Sequence, residues 1–222
     1  MKISVVIPAL NEAEQIVSCL DSIKTQHGEF EVIVVDGGSI DGTVDLAGAQ
    51  ARVIRSEKGR GVQMNSGARH CTGEVLLFLH ADTRLPPEGL LFLERALADP
   101  RIVGGTFRLR FDDRTFLLRL IAFFTRFKCR YFHYGDQGIF VRRSVFEHLK
   151  GFAEIPLMED VDFLRRLSKR GRLALLRQSV TTSGRRFMEH GIVRQQLLNS
   201  ILVICYLLGA KPHSLIKWYE RG

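Results

Sequence analysis

Residues 75–83 read VLLFLHADT, from Val75 to Thr83. The apolar run stops abruptly at His80-Ala81-Asp82-Thr83. Such a run is the pattern of a strand buried on both faces, the kind parallel sheets carry beneath helices. Polar residues at its carboxyl end fall where open α/β sheets bind their ligands. Asp82, with the imidazole of His80 two residues earlier, can hold a divalent cation, and the cation can hold a diphosphate. Asp82 can equally do no more than cap a turn before Pro86-Pro87. This stretch alone leaves both readings open.

Outward from it, strands and helices alternate. Ile3–Ile7 reads as a strand ended by Pro8. Asn11 is placed to cap a helix over Glu12–Lys24, in which Ile16, Leu20 and Ile23 recur at helical spacing. Glu31–Val35 reads as a second buried strand, Asp41-Gly42-Thr43 opens a short helix, Arg52–Ile54 is a third strand and Gly61–Cys71 a helix. This alternation predicts a parallel, doubly wound sheet. Right-handed crossovers put the strand ends on one edge. Further on, Glu88–Ala98 reads as a helix, Val103–Phe111 and Gly138–Val141 as strands, Asp160–Lys169 as a helix, Arg172–Leu176 as the last strand and Gly191–Leu208 as an apolar-faced terminal helix. With no internal repeat or Pro/Gly linker, a single domain over 1–222 is expected, its helical C-terminal segment being 191–222.

The 222 residues suit one domain. Hydrophobic residues at 45% and charged residues at 25% are ordinary for a globular protein. The net charge of +8 and the sequence pI of about 9.6 point to an anionic partner: a phosphate-bearing ligand, nucleic acid or an anionic membrane surface. Cys19, Cys71, Cys129 and Cys205 are scattered without a CxxC pair, and read as small buried hydrophobes in a reducing compartment. The opening MKISVVIPALNE lacks a signal peptide's apolar core, and no apolar stretch reaches the ~18 residues of a spanning helix. A cytoplasmic protein is expected.

Polar residues collect at the predicted strand ends: Pro8 to Glu12, Asp36 to Thr43, Glu57 to Gly61, and His80 to Thr83. Asp36 can accept hydrogen bonds from a base or ribose, and Lys58 and Arg60 can meet phosphate. Each also has a plainer reading as a turn, a helix cap or a solvated loop. Four such ends in one half of the chain favour a nucleotide crevice. No GxGxxG or GxxxxGK[ST] occurs, so neither the dinucleotide fingerprint nor the P-loop is supported.

VVIPALNE, VVDGGSIDGT, the Asn65–Gly67 segment and FLHADT, in this order, resemble nucleotide-sugar glycosyltransferases of the inverting family-2 type. The resemblance runs from Ile3 to about Phe187. It implies the A-type glycosyltransferase fold, a Rossmann-like α/β/α sandwich with a mostly parallel sheet. It implies a nucleotide-binding half over 1–100 and an acceptor and catalytic half over 101–190. Pro8, Ala9, Glu12, Asp36 and Asp41 would line the base and ribose site; Lys58, Asn65 and Ala81 would flank the nucleotide. Asp82 would be the second acid of the family's Asp-x-Asp metal motif, the first being replaced by His80. One anionic oxygen ligand thus becomes a neutral nitrogen. Asp82, diphosphate oxygens and water can still satisfy Mg²⁺ or Mn²⁺, and an imidazole ligand tilts the choice to Mn²⁺.

Met158-Glu159-Asp160 matches the family's Glu-Asp motif, whose second acid is the catalytic base, so the resemblance gives that role to Asp160. The alternative is that Glu159, Asp160 and Asp162 complement the positive end of the following helix. Asp136, in Gly135-Asp136-Gln137, resembles the acceptor-side loop. Arg186 sits where members often carry Gln-x-x-Arg-Trp, here without the Gln and with Phe187 for the Trp. Glu159, Asp136 and Arg186 are thus expected at the acceptor and the diphosphate, with His190 a weaker candidate.

Phe116–Tyr134 mixes aromatics with Arg119, Arg126, Lys128 and Arg130. It reads as an ordinary helix burying Leu118, Ile121 and Phe124, or as an interfacial helix facing anionic lipid, peripheral on the inner face of the cell membrane. No motif supports nucleic-acid binding. The partners expected are a nucleotide-sugar donor, UDP-sugar by resemblance, and a glycan, lipid-linked or small-molecule acceptor. A nucleotidyltransferase of related fold and a non-catalytic nucleotide-sugar or lipid-surface module are the alternatives.

Overall fold

β1 (Ile3–Ala9) is buried along its whole length because it lies inside the sheet with a helix layer on each face. The computed structural model describes residues 1–113, 115–124 and 135–221, the side chains of 220 and 221 excepted. Alternation along β1 sends Val5 and Ile7 into one core and Val6 into the other. The first core packs α1 (Ile16–Lys24) and α4 (Gly89–Leu97) against the sheet; the second packs α3 (Arg60–His70) and α7 (Glu159–Leu167). Around β1 run β2 (Phe30–Asp36), β3 (Arg52–Arg55), β4 (Val75–Phe78), β5 (Thr83–Arg84), β6 (Ile102–Phe111), β7 (Ile139–Arg142) and β8 (Arg172–Thr182), with the short helices α2 (Thr43–Gly48) and α6 (Arg143–His148) between strands. The order is β3-β2-β1-β4-β7-β6-β8-β5, and only β7 and β5 run against the rest. This is the expected α/β sandwich with a mostly parallel sheet. α3 lies so close that a Cβ at Gly67 would collide with Val6 and Val35, which fixes glycine there.

Several boundaries differ from expectation. Pro8 does not end β1, which continues to Ala9 and pairs Pro8 with Val35. Ile3 and Ala9 bond toward β2 and Val6 toward β4, so alternation turns Pro8 to the β4 side. There the ladder has already ended at Val6–Phe78, and the missing N–H costs no bond. Asn11 does not cap a helix: α1 begins at Ile16, and Asn11, in the left-handed region at φ 54°, bridges the loops after β1 and β2. Its N–H donates to Ser39 Oγ at 2.9 Å and its Oδ1 accepts from Ile40 N–H at 3.0 Å. β8 runs to Thr182 rather than Leu176, because its polar stretch Arg177–Ser179 continues alongside β6 across a register shift. β5, α6, α8 (Arg185–His190) and α10 (Pro212–Arg221) were not expected.

Of the expected Phe116–Tyr134 helix, α5 covers Phe116–Phe124, and 125–134 lie outside the described residues. Leu118 is buried, Ile121 half-buried, and Phe124 is exposed rather than buried. Cys19 and Cys71 are free and buried, Cys205 is half-buried, and Cys129 lies outside the described residues. α9 (Ile192–Leu207) and α10 close the chain. A third, small core of Leu157, Met158, Val161, Leu202, Val203 and Leu215 ties them to the start of α7.

Candidate active site at the carboxyl edge of the sheet

Hydrogen bonding first shapes the rim. Asp36, 2% exposed, accepts the N–H groups of Gly38 at 3.0 Å and Ser39 at 3.1 Å, and so folds the turn after β2. Gly38 meets that turn at φ 99°. Asp41 accepts from Thr43 Oγ1 at 2.5 Å and from Ala13 N–H at 3.1 Å, which holds its carboxyl below the usual range and joins the two loops. Gln63, buried on α3, donates from Nε2 to Ala9 O at 2.9 Å and Val35 O at 2.8 Å, clamping the ends of β1 and β2.

Above this floor lies a crevice of about 520 Å³. Pro8, Ala9, Glu12, Lys58, His80, Ala81, Asp82, Asp136 and Arg186 all line it. The residues read from four separate stretches thus converge. Asp36 and Asp82 do not stand on neighbouring strands, since β1 lies between β2 and β4. Asp36 and Asp41 spend their carboxylates on the loops. Asn65 is turned away from the crevice: its Nδ2 donates to Phe152 O at 3.0 Å and its Oδ1 accepts Phe152 N–H at 2.9 Å, pinning α3 to the segment before α7. His190 is exposed at the end of α8 and does not line the crevice.

Acids and cations face one another in the crevice: Glu12, Asp82 and Asp136 against Lys58, Arg60, Arg185 and Arg186. His80 Nδ1 meets Asp136 Oδ1 at 3.2 Å. Burial opposes charge on the imidazole, but Asp136 outweighs it and His80 is raised. The same contact lowers Asp136 against its own burial. Asp82 Oδ1 accepts from Thr83 Oγ1 at 3.1 Å and Thr182 Oγ1 at 3.4 Å. Burial, and then the charge of Asp136, push Asp82 up despite His80. Glu12 is likewise raised, by burial and then by Asp82, with Arg185 at 3.3 Å opposing. The carboxylate of Asp82 is a hard oxygen donor of the kind that Mg²⁺ or Mn²⁺ takes. Among the described residues no three His, Cys, Asp or Glu side chains converge closely enough to enclose a cation. A cation here would therefore take part of its shell from phosphate oxygens and water.

A second cavity of about 270 Å³ adjoins the first and shares Arg60, Asp136 and Tyr219 with it. Asp160 lines this second cavity, among Leu120, Ile121, Leu157 and Val203. It stands in the first turn of α7, two residues after Met158, whose φ of 70° is a strained conformation for a long side chain. Glu159 is turned toward Arg60. It is 2% exposed and its Oε1 meets Arg60 Nε at 2.8 Å, holding a guanidinium at the junction of the two cavities. Burial pushes Glu159 up while Arg60 pulls it down. Arg186 stacks on Tyr219, its Cζ 3.8 Å from the ring centroid, and donates to the phenolic oxygen. Tyr219 was not anticipated, because nothing local in α10 reveals a partner 33 residues upstream.

A crevice of mixed charge at the carboxyl ends of the strands of such a sheet lies where open α/β folds bind their ligands. The chain belongs to glycosyl transferase family 2, whose model matches residues 4–152. Of the three functions read from the sequence, membership of this family favours the first. A PGL/p-HBAD biosynthesis glycosyltransferase of Mycobacterium bovis is 43% identical over 91 residues, 37% of this chain and 36% of that protein. The chain thus covers little more than a third of that relative. An uncharacterized protein of Mycobacterium tuberculosis is 30% identical over 242 aligned positions, 90% of this chain and 76% of that one. Among solved structures, the mannosyltransferase PcManGT from Pyrobaculum calidifontis, in complex with GDP-Man and Mn²⁺, matches with a TM-score of 0.69 at 23% identity, over 95% of this chain and 65% of that one. At that identity the likeness is one of fold.

Proposed function

We propose that the chain transfers a sugar from a nucleoside-diphosphate sugar to an acceptor hydroxyl, with inversion at the anomeric carbon. The observation that carries this is the pair of adjoining cavities, with Asp82 on the wall of one, Asp160 on the wall of the other, and Arg60 and Asp136 common to both. Pro8, Ala9 and Ala81 form walls for the nucleoside, with Glu12 and Lys58 beside it. Asp82, with His80, would hold Mn²⁺ or Mg²⁺, and such a cation neutralises charge on a leaving diphosphate. Arg60, steadied by Glu159, and Arg186 add guanidinium donors that suit phosphate oxygens. Asp160 accepts the proton of the acceptor hydroxyl as its oxygen attacks. Attack from the Asp160 side, with departure toward Asp82, is a single displacement and inverts the centre.

In this reading 1–100 serve the nucleotide, 101–190 the acceptor and catalysis, and 191–222 form the helical segment behind them. The donor base is uridine or guanosine, and the acceptor a glycan, a small molecule or a lipid-linked hydroxyl. The chain works in the cytoplasm, drawn to the inner face of the membrane by its +8 charge. No described helix is long and apolar enough to cross a membrane. Calorimetry with UDP and GDP, with and without Mn²⁺, tests the donor site. Wild type should bind one of them in a Mn²⁺-dependent way, and Asp82→Ala should weaken that binding roughly 10–100-fold. Binding unchanged by Asp82→Ala would sink the reading.

A further inference from the structure

α9 is apolar on both of its sides. Its inner side contributes Leu202 and Val203 to the third core. Its outer side carries Val193, Leu197, Ile201 and Ile204, with Leu208 just beyond its end, at 57, 58, 49, 55 and 82% exposure. Their spacing of four, four, three and four residues makes one continuous stripe along the helix. Single exposed apolar residues are ordinary, but a contiguous stripe marks a surface with a partner. Trp218 on α10, 54% exposed, adds a side chain suited to a membrane–water boundary.

The 16 residues of α9 span about 24 Å, short of the roughly 30 Å hydrocarbon core of a bilayer. The helix is therefore suited to lie along a lipid surface, not through it. Charge selects the occupant. From Ile192 to Tyr219 the only charged residues are Arg194, Lys211 and Lys217, all basic, with Glu189 before and Glu220 after this stretch. α5 packs against α9, and its single charge within Phe116–Phe124 is Arg119. Beside α5 a cavity of about 940 Å³ is lined by Arg84, Arg110 and Arg119. Asp112 and Asp113 also line it and offset two of those three charges, so the arginines leave an excess of one positive charge. An apolar stripe framed by cations complements anionic lipid. Two copies of the chain meeting through it would bring like charges together. Leu120, 42% exposed on α5, also lines the cavity that holds Asp160, so this side of the molecule leads to the acceptor cavity.

We propose that the outer stripe of α9 seats in the interface of an anionic bilayer, so that apolar insertion is added to the electrostatic attraction. This deepens the peripheral-membrane part of the proposed function but does not depend on glycosyl transfer. Co-sedimentation with vesicles of phosphatidylcholine, alone or mixed with phosphatidylserine, tests it. Wild type should partition onto the phosphatidylserine vesicles. The Leu197→Gln/Ile201→Gln double variant should partition at least about tenfold less, because two side chains no longer leave water. Both positions are exposed, so melting temperature and UDP or GDP binding should match wild type. That control separates failure of docking from failure of the donor site. Wild type that stays in the supernatant, or a double variant that sediments as wild type does, would overturn the proposal. So would a lipid-free, concentration-dependent dimer that the same substitutions abolish, since a second copy would then be the occupant.

Discussion

At the amino ends of the parallel strands, Glu31 accepts from Ser4 Oγ at 2.6 Å, Thr72 N–H at 2.6 Å and Gly73 N–H at 3.2 Å, joining β2 to β1 and to the start of β4. At their carboxyl ends, Asp82 accepts two threonine hydroxyls at 3.1 and 3.4 Å and faces Asp136 and Glu12 across an open crevice. Burial pushes both carboxyls up. At Glu31 the hydrogen bonds from Ser4 and Thr72 overcome it and bring the group down to about 2. At Asp82 the repulsion of Asp136 adds to it and the group stays raised. One end of the sheet uses its carboxylate to fold the chain. The other gathers carboxylates whose burial and mutual repulsion raise Asp82 and Glu12, at a cost in stability, beside an open crevice.

The contrast breaks first at Asp160, where the largest effect is expected. Asp160→Asn keeps an oxygen able to accept Val161 N–H, the 2.7 Å contact of the native side chain. Transfer should fall about 10²–10⁴-fold with donor affinity and melting temperature near wild type. Steady-state kinetics with a competent acceptor check this, and turnover within a few-fold of wild type would remove Asp160 as base.

At the opposite end, Glu31→Ala should do the reverse. Losing the charged hydrogen bonds should cost about 2 kcal/mol, a melting temperature lower by about 4–8 °C in a chain of this size. Nucleotide binding should be untouched. Because the folded-state value lies below the ordinary 4.5, the contribution of Glu31 is present above that pH and fades as pH falls toward about 2. Wild type and Glu31→Ala should therefore converge in stability in strong acid, which thermal melts across pH would reveal.

The smallest effect has the opposite sign. Asp82 is raised when folded, so its ionised form favours unfolding once pH climbs past its ordinary value. Asp82→Asn should raise the melting temperature of the ligand-free protein by about 2 °C at neutral pH, and the gain should vanish in acid. A loss of stability at neutral pH would mean that Asp82 belongs with Glu31 among the folding carboxylates.

What the chain disclosed in advance follows the same division. β1, β2 and β4 were legible because a strand buried on both faces must be a continuous apolar run, and their polar ends lay where crossovers gather them. Pro8, His80 and Asp82 could therefore be assigned to one edge from sequence. The contacts that the sequence did not disclose belong to side chains whose partner is remote. Glu159 looks like a ligand-facing acid until Arg60, about a hundred residues earlier, is seen against it. Asn65 looks like a nucleotide contact until Phe152 takes both ends of its amide. β5 has two residues and exists only because β8 is there to pair with it. No local pattern encodes such a strand.

Gln63 carries a consequence for affinity. Its amide joins Ala9 to Val35 beneath the crevice through bonds made within the chain alone. The floor is therefore ordered by folding itself, and the entropy of fixing those two strand ends is lost then, not when a ligand associates. A ligand settling there meets a rigid surface, so its contacts appear as affinity undiminished by the ordering of the loops after β1 and β2.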